Sequence, residues 1–330
     1  MHLSFLPYLV CPKTGSDLVV SSDSVINNDI VIEGRLLGDQ HSYPIKGGIP
    51  RFVEYKSDRY ADSFGRQWSR WSRVQFDDQN ENGPMEGHTS AMYQRIIGSE
   101  SLGNLTGKTV LDVGVGAGRF ADVAIRHGAR VIGVDLSSAV EVARSNLPNH
   151  KNVLICQADA LQLPIRSNSL GGAYSIGVLH HTPSPSKGLD EIMRVLEPGA
   201  WGAVAVYQKG GYYDSIRVRI WRRIFSVCGT FLPVDTLPLA YSKFVCRYLY
   251  SPSKVPVFGL VIRALFPSVR LPDERWRVLD TFDSLTPTYQ SAHTAEEVRD
   301  WFVAAKAQNV TQSDWGTSTW RGQKEALLNG

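Results

Sequence analysis

Residues 109–119 read Thr-Val-Leu-Asp-Val-Gly-Val-Gly-Ala-Gly-Arg, an apolar run that ends on three glycines set two residues apart. A short apolar run closed by a glycine cluster is the pattern of a fully buried strand, and a helical pattern begins near Gly118. Glycines in such a turn let the backbone approach a ligand where any Cβ would collide. The helix start behind them aims free N–H groups at the same place. This strand–turn–helix unit commits the chain to an α/β fold with a ligand at the carboxyl edge of its sheet. The spacing also discriminates between ligands. A dinucleotide fingerprint needs glycines at the first, third and sixth positions of the turn, and counting from Gly114 the sixth position is Arg119. The candidate cradle is therefore Gly114, Gly116 and Gly118, with Asp112 at the strand end able to hold an ammonium or its waters.

The segments that follow alternate apolar strands with helical patterns, as a parallel, doubly wound sheet requires. The second strand, Arg130–Asp135, ends on a carboxylate about 20 residues beyond the glycine turn, where Asp135 can accept from both hydroxyls of a ribose. Ser137 and Ser138 are competing helix caps nearby. A third strand over 152–156 leads into Gln157-Ala158-Asp159-Ala160, and a fourth over 172–176 into Gly177-Val178-Leu179-His180-His181. Helix, turn and fifth strand follow from 189 onward through Glu197-Pro198-Gly199. Taken together, Asp112-x-Gly-x-Gly-x-Gly118 and its downstream partners over 108–207 resemble the class I S-adenosylmethionine-dependent methyltransferases. The resemblance implies a Rossmann-like sheet and S-adenosylmethionine as cofactor. It also implies Asp135 on the ribose, Asp159 and the Ala160 N–H on the adenine, and Gly177 in backbone contact with the cofactor. His180 and His181 would then face the methyl-transfer space, where an imidazole titrating near neutrality can take a proton from a nucleophile and return it to water. The Asn-Pro-Pro-Tyr or Asp-Pro-Pro-Tyr of the base-methylating branch is absent, which weighs against a nucleobase acceptor.

At 330 residues the chain can bury a substantial core in one large domain or two smaller ones. A formal charge of +3 does not by itself indicate nucleic acid. The four cysteines, Cys11, Cys156, Cys228 and Cys246, lack CxxC spacing, so neither a disulfide framework nor a complete zinc site is expected. No signal-peptide pattern and no bilayer-length apolar run is evident, which points to a cytoplasmic protein.

Ahead of the glycine turn, residues 1–56 carry Cys11-Pro12 and, later, Tyr43-Pro44-Ile45-Lys46-Gly47-Gly48-Ile49-Pro50. They resemble, in degenerate form, the zinc-ribbon-like module that precedes some methyltransferases. Thr14 stands where the second cysteine of a pair would be, and four ligands of that kind cannot be assembled. A small β-rich module without metal, packed on the main domain, is the expectation. Residues 57–107 form a linker and an aromatic segment in which Phe64, Trp68 and Trp71 share one helical face. The run Phe64-Gly65-Arg66-Gln67-Trp68 resembles one found in bacterial methyltransferases of glycan and natural-product pathways, and implies that Gln67 and Trp68 line the cofactor site. The methyltransferase domain itself is assigned to 108–330.

A helical insertion is expected over 208–275. Its basic, apolar stretches at 217–225 and 239–250 suit a lid over the substrate side, and leave contact with a membrane surface or a lipid-linked acceptor open. After it, Thr294 and Glu297 form a capping box for a helix over 295–305, and final strands run over 310–315 and from 319. The same resemblance makes Tyr289 and His293 candidates for substrate contact or for the base. The expected activity is O-methylation of a small-molecule acceptor, most plainly a sugar or natural product, with no nucleic acid and no metal. An RNA or protein methyltransferase, or a non-catalytic cofactor-binding subunit, are the rival readings.

Overall fold

The computed structural model describes residues 1–53, 59–228, 235–316 and 318–326, with backbone only at 59–62. Five short strands open the chain: β1 Val19–Val20, β2 Val25–Asn27, β3 Ile30–Leu37, β4 Ser42–Lys46 and β5 Ile49–Pro50. They form an antiparallel sheet in the order β1-β3-β4-β5, with β2 folded back on β3. Three helices follow: α1 Arg59–Arg70, α2 His88–Ile97 and α3 Ser99–Gly103.

The main sheet then begins at the glycine turn. Its strands are β6 Thr109–Val113, β7 Arg130–Asp135, β8 Val153–Gln157, β9 Leu170–Ile176, β10 Leu196–Ala205, β11 Gln308–Gln312 and β12 Thr319–Gln323. Helices α4 Arg119–Arg126, α5 Ala139–Asn146 and α6 Pro185–Val195 cross between the parallel strands. The strand order is β11-β12-β10-β9-β6-β7-β8, with β12 antiparallel to its neighbours. The order reverses at β6 and β9, so their carboxyl ends open the crevice where ligands sit in such sheets. β6 and β9 are buried along their whole length, as central parallel strands covered on both faces must be, and β8 is buried as fully at the end of the sheet.

The N-terminal sheet shares a core with the main domain: Phe5, Leu36 and Ile45 pack in one cluster with Ile132 and Leu154. Arg51 bridges in parallel to Gln157 at the end of β8, the Phe52 N–H donates to the Gln157 carbonyl at 2.8 Å, and Arg51 Nη1 donates to Gln157 Oε1 at 2.7 Å. Cys11 is buried with its Sγ 3.1 Å from the Tyr43 hydroxyl. Among the described residues no group of three His, Cys, Asp or Glu could hold a metal ion.

The insertion is helical: α7 Ile216–Cys228, α8 Thr236–Phe244, α9 Phe258–Leu265 and α10 Glu274–Leu285. It runs on past residue 275, because 274–285 is a buried helix capped by the Asp273 side chain, which accepts from the Arg275 and Trp276 N–H groups. α11 Ala295–Ala304 carries the expected capping box of Thr294 and Glu297. No helix of the described residues is long and apolar enough to cross a membrane.

Candidate active site

At the carboxyl ends of β6, β7 and β9 lies a cavity of about 650 Å³, within the usual range for small-molecule sites. Its walls include the glycine turn, the loops after β7 to β10, helix α1 and the insertion helix α10. Helix α1 can lie this close because it carries Gly65, where a Cβ would stand 2.0 Å from Ser138 Oγ.

Gly114 and Gly116 line the cavity, while Gly118 is set behind it as the N-cap of α4. Gly116 has φ +52°, and a Cβ there would meet the Trp68 ring at 2.9 Å. Gly177 has φ +77° with nothing within 4 Å of the Cβ position, so its open side faces cavity space. Gln67 and Trp68 are both in the wall, as their aromatic segment implied.

Asp135 stands at the cavity edge. Its Oδ2 accepts from the Gly116 N–H at 3.0 Å, and its Oδ1 accepts from the Ser137 N–H at 2.9 Å and Oγ–H at 2.7 Å. Burial raises its pKa, against the opposing pull of these hydrogen bonds. Asp159 and Ala160 also line the cavity, and Asp159 Oδ1 accepts from the Leu161 N–H at 2.8 Å. Asp112 is placed differently from expectation. Its side chain is buried outside the cavity lining and accepts from the Tyr174 hydroxyl at 3.2 Å. Burial pushes its pKa up to about 7.

His180 and His181 both line the cavity. His180 stacks on Tyr207 with ring centroids 3.6 Å apart, has no partner for either ring nitrogen among the described residues, and is held neutral by burial. His181 Nδ1 lies 2.9 Å from the Tyr289 carbonyl oxygen. A carbonyl can only accept, so Nδ1 carries the proton of the neutral ring and Nε2 the lone pair. That Nε2 is buried and without a partner among the described residues. Burial lowers the His181 pKa.

Tyr289 and His293 do not line the cavity. The Tyr289 side chain is half exposed, and its contribution is the carbonyl that orients His181. Both ring nitrogens of His293 are engaged, Nδ1 with Glu297 at 3.2 Å and Nε2 with Ser291 Oγ at 2.8 Å. Its backbone extends the sheet by bridging to Gln208.

The wall at α10 holds residues that the sequence alone did not assign. The Tyr207 hydroxyl and Gln67 Nε2 donate to the two oxygens of Asp283 at 2.9 and 3.0 Å. Gln75 Nε2 donates to Asp280 Oδ1 at 3.1 Å. Burial raises Asp280 to about 7, with Arg119 opposing and Asp283 adding to the rise. Arg119 reaches the same wall beside Phe120 and Trp276. The available signal was the N-cap Asp273 followed by apolar residues at 276, 279, 282 and 285, a helical repeat that puts Asp280 and Asp283 on one face.

Comparison with known proteins adds an independent line. Residues 111–204 match the methyltransferase domain family. The chain is 32% identical over 106 residues to a demethylmenaquinone methyltransferase of Clavibacter sepedonicus, covering 32% of this chain and 43% of that protein. It is 32% identical over 135 residues to an O-methyltransferase of Aspergillus nomiae, covering 39% of this chain and 59% of the relative. The chain thus spans about half the length of these curated relatives. A crystal structure of an S-adenosylmethionine-dependent methyltransferase from Mesorhizobium loti is similar at 24% identity and a TM-score of 0.33, over 41% of this chain and 57% of that one.

Proposed function

We propose that this chain, which carries a class I S-adenosylmethionine-dependent methyltransferase domain matched over residues 111–204, methylates a hydroxyl of a small-molecule acceptor. The cofactor would supply an electrophilic methyl group on sulfur, transferred by in-line displacement. The residues present suit it: an open backbone at Gly177, a carboxylate at the end of β7, and a cavity of sufficient volume. In this reading Asp135 accepts from the ribose hydroxyls, Asp159 and Ala160 hold the adenine, and Gly114 and Gly116 let the backbone come close. Gln67 and Trp68, on α1, cover the site and exclude water.

His181 is the proposed base. Its Nε2 accepts the acceptor's hydroxyl proton as the new O–C bond forms, and passes it to water afterwards. The Tyr289 carbonyl fixes the tautomer that makes this feasible. His180 positions rather than reacts, stacked on Tyr207 and tilted against the His181 ring. Asp280, Asp283, Arg119 and Gln75 form the polar wall that would orient the acceptor.

The observation that carries this reading is His181 itself, which lines the cavity together with the glycine turn and the insertion and whose buried Nε2 has no partner among the described residues. A covered cavity favours a small acceptor over a polymer. The O-methyltransferase among the relatives favours oxygen as the methylated atom. Calorimetric titration with S-adenosylmethionine, S-adenosylhomocysteine and NAD tests the cofactor. Release of S-adenosylhomocysteine in the presence of hydroxylated sugars and phenols tests the reaction. Binding of NAD alone would refute the cofactor assignment; cofactor binding with turnover confined to amines would refute oxygen as the acceptor atom.

A further inference from the structure

We propose that the insertion docks this protein on an anionic lipid surface, through the outward face shared by α7 and α9. α7 is two-sided. Val218 and Phe225 turn inward and pack in a cluster with Leu285, whereas Ile216, Ile220 and Ile224 are 43–66% exposed on the opposite side. α9 is apolar outward as well: Phe258, Leu260, Val261 and Leu265 are each more than half exposed.

The two helices make one surface. Arg217 Nη1 donates to the Arg263 carbonyl, and Trp221 Nε1 donates to the Leu265 carbonyl at 2.9 Å. Apolar side chains scattered singly over a surface need no explanation, but seven on two adjoining helices mark a contact site.

Charge identifies the occupant. Residues 212–270 contain nine Lys and Arg against two Asp, a net +7 in a chain whose formal total is +3. Both acids are already paired, Asp214 with Arg219 and Asp235 with Arg66. Arg223, one turn from Ile220 on α7, and Lys254, beside the Ser253 carbonyl that accepts from Arg263 of α9, are exposed at this face. A second copy of the chain would set this positive surface against itself. A bilayer with anionic headgroups satisfies both features, since it takes apolar side chains below its phosphates and cations at them. With no spanning helix among the described residues, the contact is peripheral. This inference goes beyond the proposed methyl transfer and stands whether or not that reading holds.

The experiment is co-sedimentation of the full chain with vesicles of phosphatidylcholine, alone or with about a third phosphatidylglycerol, at low and high salt. Binding to the anionic vesicles is expected, at least about tenfold tighter than to the neutral ones and weakened by salt. The paired change Ile220→Asp with Leu260→Asp should reduce it by at least about tenfold, with thermal midpoint and S-adenosylmethionine affinity unchanged. Arg223→Glu with Lys254→Glu should flatten the salt dependence. The proposal is overturned if the chain stays in the supernatant with both vesicle types, or if the variants sediment as the parent does. Self-association abolished by the Ile220/Leu260 changes, with no vesicle binding, would overturn it in favour of a second copy.

Discussion

The carbonyl oxygen of Tyr289 stands 2.9 Å from Nδ1 of His181, a residue of the cavity wall, and leaves the opposite ring nitrogen buried and unpartnered among the described residues. If that nitrogen is the base, His181→Ala should lower kcat by about 10²–10⁴-fold while S-adenosylmethionine affinity, read by calorimetry, changes little. His181→Gln should not restore turnover, since an amide can hydrogen-bond but cannot take the proton. A base works deprotonated, and burial holds this imidazole below its ordinary value of 6.5. The acid limb of the kcat–pH profile should therefore fall below that value, with a plateau through neutrality. A limb above 6.5 would count against His181.

Asp135→Ala should weaken S-adenosylmethionine binding by roughly ten- to a hundredfold, about 1.5–3 kcal/mol for hydrogen bonds to a charged acceptor. The loss should be shared by S-adenosylhomocysteine, which has the same ribose. Unchanged affinity for both would remove Asp135 from the ribose.

Gly177→Ala and Gly116→Ala should separate binding from folding. At Gly177 the new methyl meets no atom within 4 Å, so the fold pays only left-handed strain, about 1–2 kcal/mol, while the methyl intrudes on ligand space. At Gly116 the methyl also strikes the Trp68 ring at 2.9 Å, adding overpacking of about 1–3 kcal/mol. Thermal melting should rank Gly116→Ala below Gly177→Ala, and both should bind cofactor poorly.

Asp280 gives a stability test with a definite sign. Its folded-state pKa, about 7 against 3.8 for the ordinary group, means the folded chain holds a proton that the unfolded chain releases. Stability should therefore fall as pH rises from about 4 to about 7 and stay low above that. Asp280→Asn keeps an oxygen for Gln75 to donate to and removes the ionisation. Its melting temperature should exceed the parent's by roughly 2–4 °C at pH 8, with little difference at pH 4. An equal shift at both pH values would show that Asp280 ionises as freely as in water.

The cofactor half was legible because buried parallel strands leave a strong signal. Arg130–Asp135 and the capping box at Thr294 occur as expected, and the glycine turn sits where its spacing required. The substrate side was harder to read for a physical reason. A polar side chain facing a cavity and one facing solvent look alike in a hydrophobic pattern. Asp280 and Asp283 sit among the apolar residues of α10, where the sequence alone does not show whether a carboxylate faces a cavity or water, and the insertion expected to end at 275 continues through this helix. Tyr289 and His293 are a different case. Their chemically capable side chains drew attention, but neither lines the cavity: the His293 ring is engaged by Glu297 and Ser291, and Tyr289 reaches His181 through its carbonyl. Asp112 is a third case: strand-end position suggested a ligand, but the neighbouring Tyr174 hydroxyl takes the carboxylate.

The bridge from Arg51 and Phe52 to Gln157 has a bearing on solubility. β8 is the last strand of the seven-stranded sheet, and an open sheet edge is a template onto which another chain can add a strand. By pairing there, the chain's own first residues occupy the place an intruder would take. A protein lacking residues 1–53 should therefore emerge from size-exclusion chromatography as oligomers and aggregate, even with its glycine turn intact. The N-terminal sheet is in this sense an in-built stopper against polymerisation.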